Sequence, residues 1–353
     1  VHSKYVDNGY QLAISLMIQN ENGSADYKQA RALLEELTPY ANEPRRERLL
    51  SKIALTWYFE GSSHFAKQMF EEALVCFDNA LKVFRELGEL SSQISVLSQI
   101  AAVNEQLGNI DKSIAYYQQA LSLAQQTHSD AKMMDINIEL CSLNQLVGNL
   151  SLKNYYAEQI ESIFSSTKDL KAHFAYYRYK GREAKSLELY NMAEQWFQKA
   201  IGVAQKQSIE ENLLMSYFDL GELYHMWGRY SEALTFLQLS LGKDTAINEN
   251  NYINYILIAD IHLKMGDMEK CMGYIEQLFA LEPYINEPRK LSQLYTTRGN
   301  YNHHLEDYQA ALSDYKKADE ILAAKYPATD GERVSIYALL GGVEHRLNHY
   351  NES

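Results

Sequence analysis

An all-α solenoid of antiparallel helix pairs is the fold this 353-residue sequence predicts, on three observations. The first is a ruler: Gly61, Ala101, Cys141, Gly181, Gly221, Ala259, Gly299 and Gly341 recur at intervals of 40, 40, 40, 40, 38, 40 and 42 residues. Self-similarity at such a period means that each unit buries its apolar face only against its neighbours. The second is the position four residues earlier, occupied by Trp57, Leu97, Asn137, Tyr177, Tyr217, Tyr255, Tyr295 and Tyr337, where only Asn137 is neither a large ring nor leucine. The third is a later stripe in each unit, such as Ala73, Phe77 and Ala80 or Ala193, Phe197 and Ala200, whose i, i+4, i+7 spacing puts all three on one helical face. Strand-like alternation bounded by turns is missing, and the chain holds only 5 Pro and 17 Gly.

Each unit therefore reads as two amphipathic helices. Where antiparallel helices close to about 8–10 Å, a large side chain would prop them apart, so Gly, Ala or Cys marks the closest contact and aromatic residues fill the gaps beside it. Taken in order, a degenerate opening repeat spans 4–43, with residues 4–19 as its first helix and Tyr27, Ala30, Leu34 and Leu37 on its second. Repeats follow at 47–86, 88–127, 129–166, 168–207, 209–246, 248–284 and 288–325, all placed in a single domain over 1–353. The 129–166 repeat departs most, carrying Asn137, Cys141, Lys153 and Ala157 at the patterned positions. Gly108-Asn109, Gly148-Asn149, Gly228-Arg229 and Gly266-Asp267 fall between the two helices of their units, where glycine ends a helix in the left-handed conformation. A last unit begins at 330, and Ser353 falls where its second helix should start. That break inside a repeat, with Val1 as the first residue, leads us to expect a segment of a longer protein.

The pattern resembles the tetratricopeptide repeat, whose W-x₂-L-G-x₂-Y, A-x₃-F, A signature is best matched by Tyr217, Leu220, Gly221, Tyr224, Ala233 and Leu237, with Ser240 in the last small place. The first full unit supplies Trp57, Gly61, Ala73, Phe77 and Ala80, although Glu60 takes the usual Leu place. The resemblance covers about residues 10–353. It implies a right-handed superhelix, with helices longer than those of the usual 34-residue unit. Repeats of about 40 residues are similar to those of bacterial peptide-pheromone receptors, peptide-binding adaptors and sensory arms of signalling proteins.

Composition fits a well-cored helical array, with 46% apolar and 22% charged residues. A net charge of −13 argues against nonspecific binding to nucleic acid, which is driven by basic surface and counterion release. No run of 18 apolar residues marks a membrane span, and no basic-then-apolar leader opens the chain. Cys76, Cys141 and Cys271 stand far apart at helix-packing positions, so they read as reduced, buried thiols of a cytoplasmic protein rather than disulfides or zinc ligands. Phosphate-loop, dinucleotide, zinc-protease and nucleophile-elbow motifs are all missing. His303-His304, imagined with His262 and His345, point about 100° apart on a helix and read as solvated or core residues. The sequence thus predicts no enzyme activity, no cofactor and no metal.

Function is expected on the wall that the resemblance assigns to the concave groove, lined by the first helix of each repeat. The exposed positions there lie one residue after the aromatic site, and one and four after the small site. In the first full unit they give Tyr58, Ser62 and Phe65, and in the fourth Arg178, Arg182 and Lys185. Later units give Phe218, Glu222 and His225, then Ile256, Asp260 and Leu263, then Thr296, Asn300 and His303. Two readings of the cationic rung stand side by side. Arg178, Arg182 and Lys185 either anchor an acidic side chain or C-terminal carboxylate of a bound peptide, or form an ion-pair ladder with Glu222 and neighbouring acids. Asn300 is a further candidate, through amide hydrogen bonds to a peptide backbone. The expected function is a non-catalytic module that holds a protein or peptide segment, as scaffold or adaptor. The alternative is a ligand-sensing arm of a larger signalling or transcriptional regulator.

Overall fold

The structure is a computed structural model that describes residues 2–18, 26–243, 245–248, 251–285 and 287–351. Ser353 and the side chain of Tyr350, which the repeat count reaches, lie outside the described residues. Two compact units divide the chain, Val1–Tyr176 and Tyr177–Ser353. Among the described residues the regular elements are all helical.

The first unit holds α1 (His2–Ile18), α2 (Tyr27–Leu37), α3 (Glu43–Ala66), α4 (Phe70–Glu86), α5 (Leu90–Gln106), α6 (Ile110–Gln126), α7 (Asp130–Leu146) and α8 (Leu150–Ser166). The boundary between units falls within α9 (Leu170–Ser186). The second holds α10 (Tyr190–Gln207), α11 (Glu210–Met226), α12 (Tyr230–Ser240), α13 (Tyr252–Lys264), α14 (Met268–Phe279), α15 (Pro288–His304), α16 (Tyr308–Ala323) and α17 (Gly331–Asn351). Helices pack in sequential pairs, α3 on α4, α5 on α6, α11 on α12, α13 on α14 and α15 on α16.

The recurring small residue sits at the contact the sequence assigns to it. A Cβ built on Gly181 would lie 2.4 Å from the Phe197 ring, and one on Gly299 would lie 2.5 Å from the Tyr315 ring. At Gly61 the corresponding approach to Phe77 is 2.9 Å, and at Gly221 the approach to Leu237 is 2.7 Å. In each case the neighbour is the residue sixteen positions on, at the middle of the second helix, and Phe77, Phe197, Leu237 and Tyr315 are all buried. Covering each of these side chains stabilises the pair by about 1.5–3 kcal/mol. Ala73, Ala80, Ala193, Ala200, Ala233, Ala311 and Ala318 flank them without exposure. Gly341, on α17, has nothing within 4 Å of an added Cβ.

The aromatic sites pack across to the second helix of their own repeat. Tyr177 stacks on Trp196 at 5.9 Å, Tyr217 lies against Phe236 at 6.0 Å, and Tyr255 against Tyr274 at 5.7 Å. Turns between helices use one left-handed residue. Glycine supplies it at Gly108, Gly148, Gly228 and Gly266, with φ of 73–77°. Gln68, Glu188 and Glu306 hold the equivalent place at φ of 59–62° without being glycine. In the 129–166 repeat the stripe shifts by one: Tyr156 is buried in α8, whereas Ala157 is only partly covered. Tyr156 accepts a hydrogen bond from Gln118 at 3.2 Å, and the thiol of Cys141 reaches the Lys153 carbonyl at 3.6 Å.

Gly299→Ala forces a methyl into the Tyr315 ring and is expected to cost about 1–3 kcal/mol, lowering the thermal unfolding midpoint. Gly341→Ala meets open space on a helix, where alanine is favoured by up to about 1 kcal/mol, so its midpoint should hold or rise. Circular dichroism melts of the two variants against the parent check the contrast.

Candidate functional site

The groove candidates of the second unit lie on α9, α11, α13 and α15, the first helices of consecutive repeats. On α9 the i, i+4, i+7 spacing brings Arg178, Arg182 and Lys185 onto one stripe, and α11 answers with acids. Arg178 donates through Nε to Asp219 Oδ2 at 2.5 Å and through Nη2 to Oδ1 at 3.2 Å. Arg182 reaches the same carboxylate at 3.5 Å, and Lys185 pairs with Glu222. Asp219 is the centre of this arrangement, since its side chain is 3% exposed and its two oxygens take both guanidinium groups. Arg178 is nearly as covered, whereas the Arg182 side chain remains 57% exposed. Each cation of the rung thus has an acidic partner on α11, and Arg182 is the one that also faces solvent. A carboxylate this deep in the wall is tolerated because the guanidinium fork matches it with two hydrogen bonds.

Further along, His225 Nε2 lies 2.7 Å from Asp260 Oδ2, joining α11 to α13. Both residues line a cavity of about 250 Å³ together with Ile256, Thr296, Glu332 and Leu339. Its walls come from α11, α13, α15 and α17 alone, so the side chains that converge on it are all from first helices. Among its polar members, Glu332 accepts from Gln293 Nε2 at 3.2 Å and meets Arg289 at 2.9 Å, while Ser292 and Thr297 are buried. Ile256, Leu257, Ile336 and Leu339 supply the apolar lining. A wider concavity of about 910 Å³ opens over the outer face of α14, lined by that helix, its N-cap Asp267 and Tyr301, and a surface drawn so largely from one helix encloses no ligand.

Other candidates lie elsewhere. Phe218 packs partly buried against the core that contains Phe197 and Leu237. Tyr58, in the first unit, rests on Phe77 at 5.9 Å, and burial raises its hydroxyl pKa while hydrogen bonds to Gln99 and Ser62 oppose the shift. Asn300 accepts a hydrogen bond from Tyr315 at 2.7 Å, which ties its amide oxygen to α16. His303 meets Tyr308 edge-on at 5.4 Å, and His262 stacks on Tyr274 at 5.7 Å, so these histidines serve packing. Leu263, expected on the open wall, is buried against Cys271 and Ile275. The sequence reading passed over Asp219, whose signal was an acid at an otherwise core-like place two residues before Gly221. It also passed over Glu332, Gln293 and Ser292, which sit two to five residues before the aromatic sites Tyr295 and Tyr337 instead of after them.

Sequence profiles described as tetratricopeptide repeat match residues 52–129, 176–243 and 253–284, together about half the chain. A curated relative, the human protein O-mannosyl-transferase TMTC1, is 24% identical over 48% of this chain, and the match spans only 21% of that protein. Among solved structures, the repeat-bearing signal-transduction ATPase with numerous domains from Pyrococcus horikoshii matches with a TM-score of 0.56 at 16% identity, covering 92% of this chain and 50% of that one. A Rap protein complexed with competence and sporulation factor gives 0.53 at 15% identity over 92% and 99% of the two chains. Aspartyl phosphate phosphatase F from Bacillus subtilis gives 0.53 at 13% identity over 91% and 90%. At these identities the likeness concerns the fold. No helix among the described residues is long and apolar enough to cross a membrane.

Removing the carboxylate that both arginines share, by Asp219→Ala, should destabilise the second unit by about 3 kcal/mol because it leaves a covered guanidinium without that partner. Arg182→Ala, at the exposed end of the same network, should cost less than about 1 kcal/mol. Urea unfolding of both variants followed by circular dichroism reads the difference.

Proposed function

The chain belongs to the tetratricopeptide-repeat family, and from that premise we propose that it is a non-catalytic module that holds a peptide or protein segment against the first-helix wall of its second unit. The observation that carries this reading is the cavity bounded by α11, α13, α15 and α17. Its volume of about 250 Å³ suits one side chain of a bound segment rather than a whole small molecule, since drug-sized ligands occupy roughly 300–1,000 Å³. The apolar lining of Ile256, Leu257, Ile336 and Leu339 would take an aliphatic or aromatic side chain. The rim groups His225, Asp260, Gln293 and Thr296 would meet the backbone on either side.

The cationic rung fits the same reading in a narrower role than an open anchor. Arg178 is committed to Asp219, and Lys185 to Glu222. Arg182 is the group with exposed surface to offer a carboxylate of the ligand, and its 3.5 Å contact with Asp219 is a weak one to exchange. The mixed, internally paired charges favour neither proton transfer nor nucleophilic chemistry, which supports a binding role.

A display library of random linear peptides, selected on the parent chain, tests the proposal. Peptides so recovered should lose at least tenfold in affinity for Thr296→Trp, which fills the cavity, and keep their affinity for Gln198→Trp on the exposed face of α10. Failure to recover any peptide, or equal affinity for Thr296→Trp and the parent, would contradict it.

A further inference from the structure

In the first unit, one departure from the repeat signature is Glu60, in the place of the usual leucine. The side chain is buried on α3, and Arg31 of α2, itself buried, donates to its Oε2 at 2.7 Å. The guanidinium lies 3.3 Å over the Trp57 ring and reaches Thr56 at 3.4 Å. One turn on from Glu60, His64 faces the other oxygen, with Nε2 at 3.8 Å from Oε1. Its second ring nitrogen, Nδ1, is buried and has no hydrogen-bond partner. Across the helix pair, Cys76 of α4 is 4% exposed and packs beside Gly61. One donor atom from each of Glu60, His64 and Cys76 lies within 4.8 Å of the other two.

We propose that Glu60, His64 and Cys76 form a divalent metal site that takes zinc, with water in the fourth position. Carboxylate, imidazole and thiolate together are the donor set zinc accepts, and two ligands at i, i+4 on one helix with a third from its partner supply three corners of a tetrahedron. Zinc bond lengths place donors about 3.3–3.8 Å apart, so the three must close by about 1 Å. The His64 side chain, 23% exposed, has room to swing and leaves an entry path. Arg31 donates to the other Glu60 oxygen, Oε2, and so orients the carboxylate as hydrogen bonds to ligating carboxylates usually do. Lys28, 3.9 Å from Oε1 and 80% exposed, moves off into solvent when the ion enters. The ion must displace the Cys76 proton, because the thiolate is the ligand, so binding weakens as the pH falls.

Cobalt(II) is the probe. Titrated into the tag-free, metal-stripped and reduced chain, cobalt chloride should give the near-ultraviolet thiolate-to-cobalt absorption at one equivalent, and zinc chloride should bleach it. Cys76→Ser should abolish that band and Cys141→Ser should leave it. His64→Ala, at a partly exposed position that spares the fold, should weaken cobalt binding at least tenfold. The absence of the band from the parent, its survival in Cys76→Ser, or unchanged cobalt affinity in His64→Ala would each overturn the proposal.

Discussion

The close approach of a glycine on one helix to a ring or leucine on its partner is the contact on which the rest of the fold depends. Gly61 on Phe77, Gly181 on Phe197, Gly221 on Leu237 and Gly299 on Tyr315 repeat the same arrangement. Because the contact leaves no space for even a methyl group, it fixes the register of each pair. Register then decides which face of the first helix turns away from its partner, and so which residues can meet a ligand. The small-residue ruler and the groove are therefore one constraint seen from two sides of the same helix.

That constraint also explains how an acidic chain keeps charge inside its walls. A carboxylate in a packed array is costly unless a cation shares its burial, and here arginine is the usual answer. Arg31 holds Glu60, Arg178 holds Asp219, and Arg298 holds Asp314 while lying 4.0 Å over Phe279. Each guanidinium pairs with its acid from another helix, so the ion pairs act as cross-braces between elements that the apolar core already aligns. Under the proposed reading, the wall of the second unit offers a ligand few uncommitted charges, and recognition there would rest on shape and apolar lining.

Much of this was legible in the residues, for reasons the packing makes plain. The period reported the helix pairs because only small residues fit at Gly181 or Gly299. The turn glycines reported left-handed backbone, though Gln68, Glu188 and Glu306 adopt the same conformation without a residue type that advertises it. Gly9, whose added Cβ would meet Leu37 at 2.7 Å, escaped notice because the spacing within the opening repeat differs from the others. His225 and Asp260, which counting forward from the small residue names, both line the cavity. The same counting does not name Asp219 or Glu332, because burial among partners on the next helix is a property of three-dimensional neighbours that one helix's spacing does not carry.

The central claim is that first helices of the second unit present the binding surface. Hydrogen–deuterium exchange of the chain, with and without a peptide recovered from the display library, tests it most directly. The account predicts added protection confined to α11, α13, α15 and α17, centred on the residues around Asp260, Thr296 and Ile336. Protection on α12, α14 or α16 in their place would contradict it.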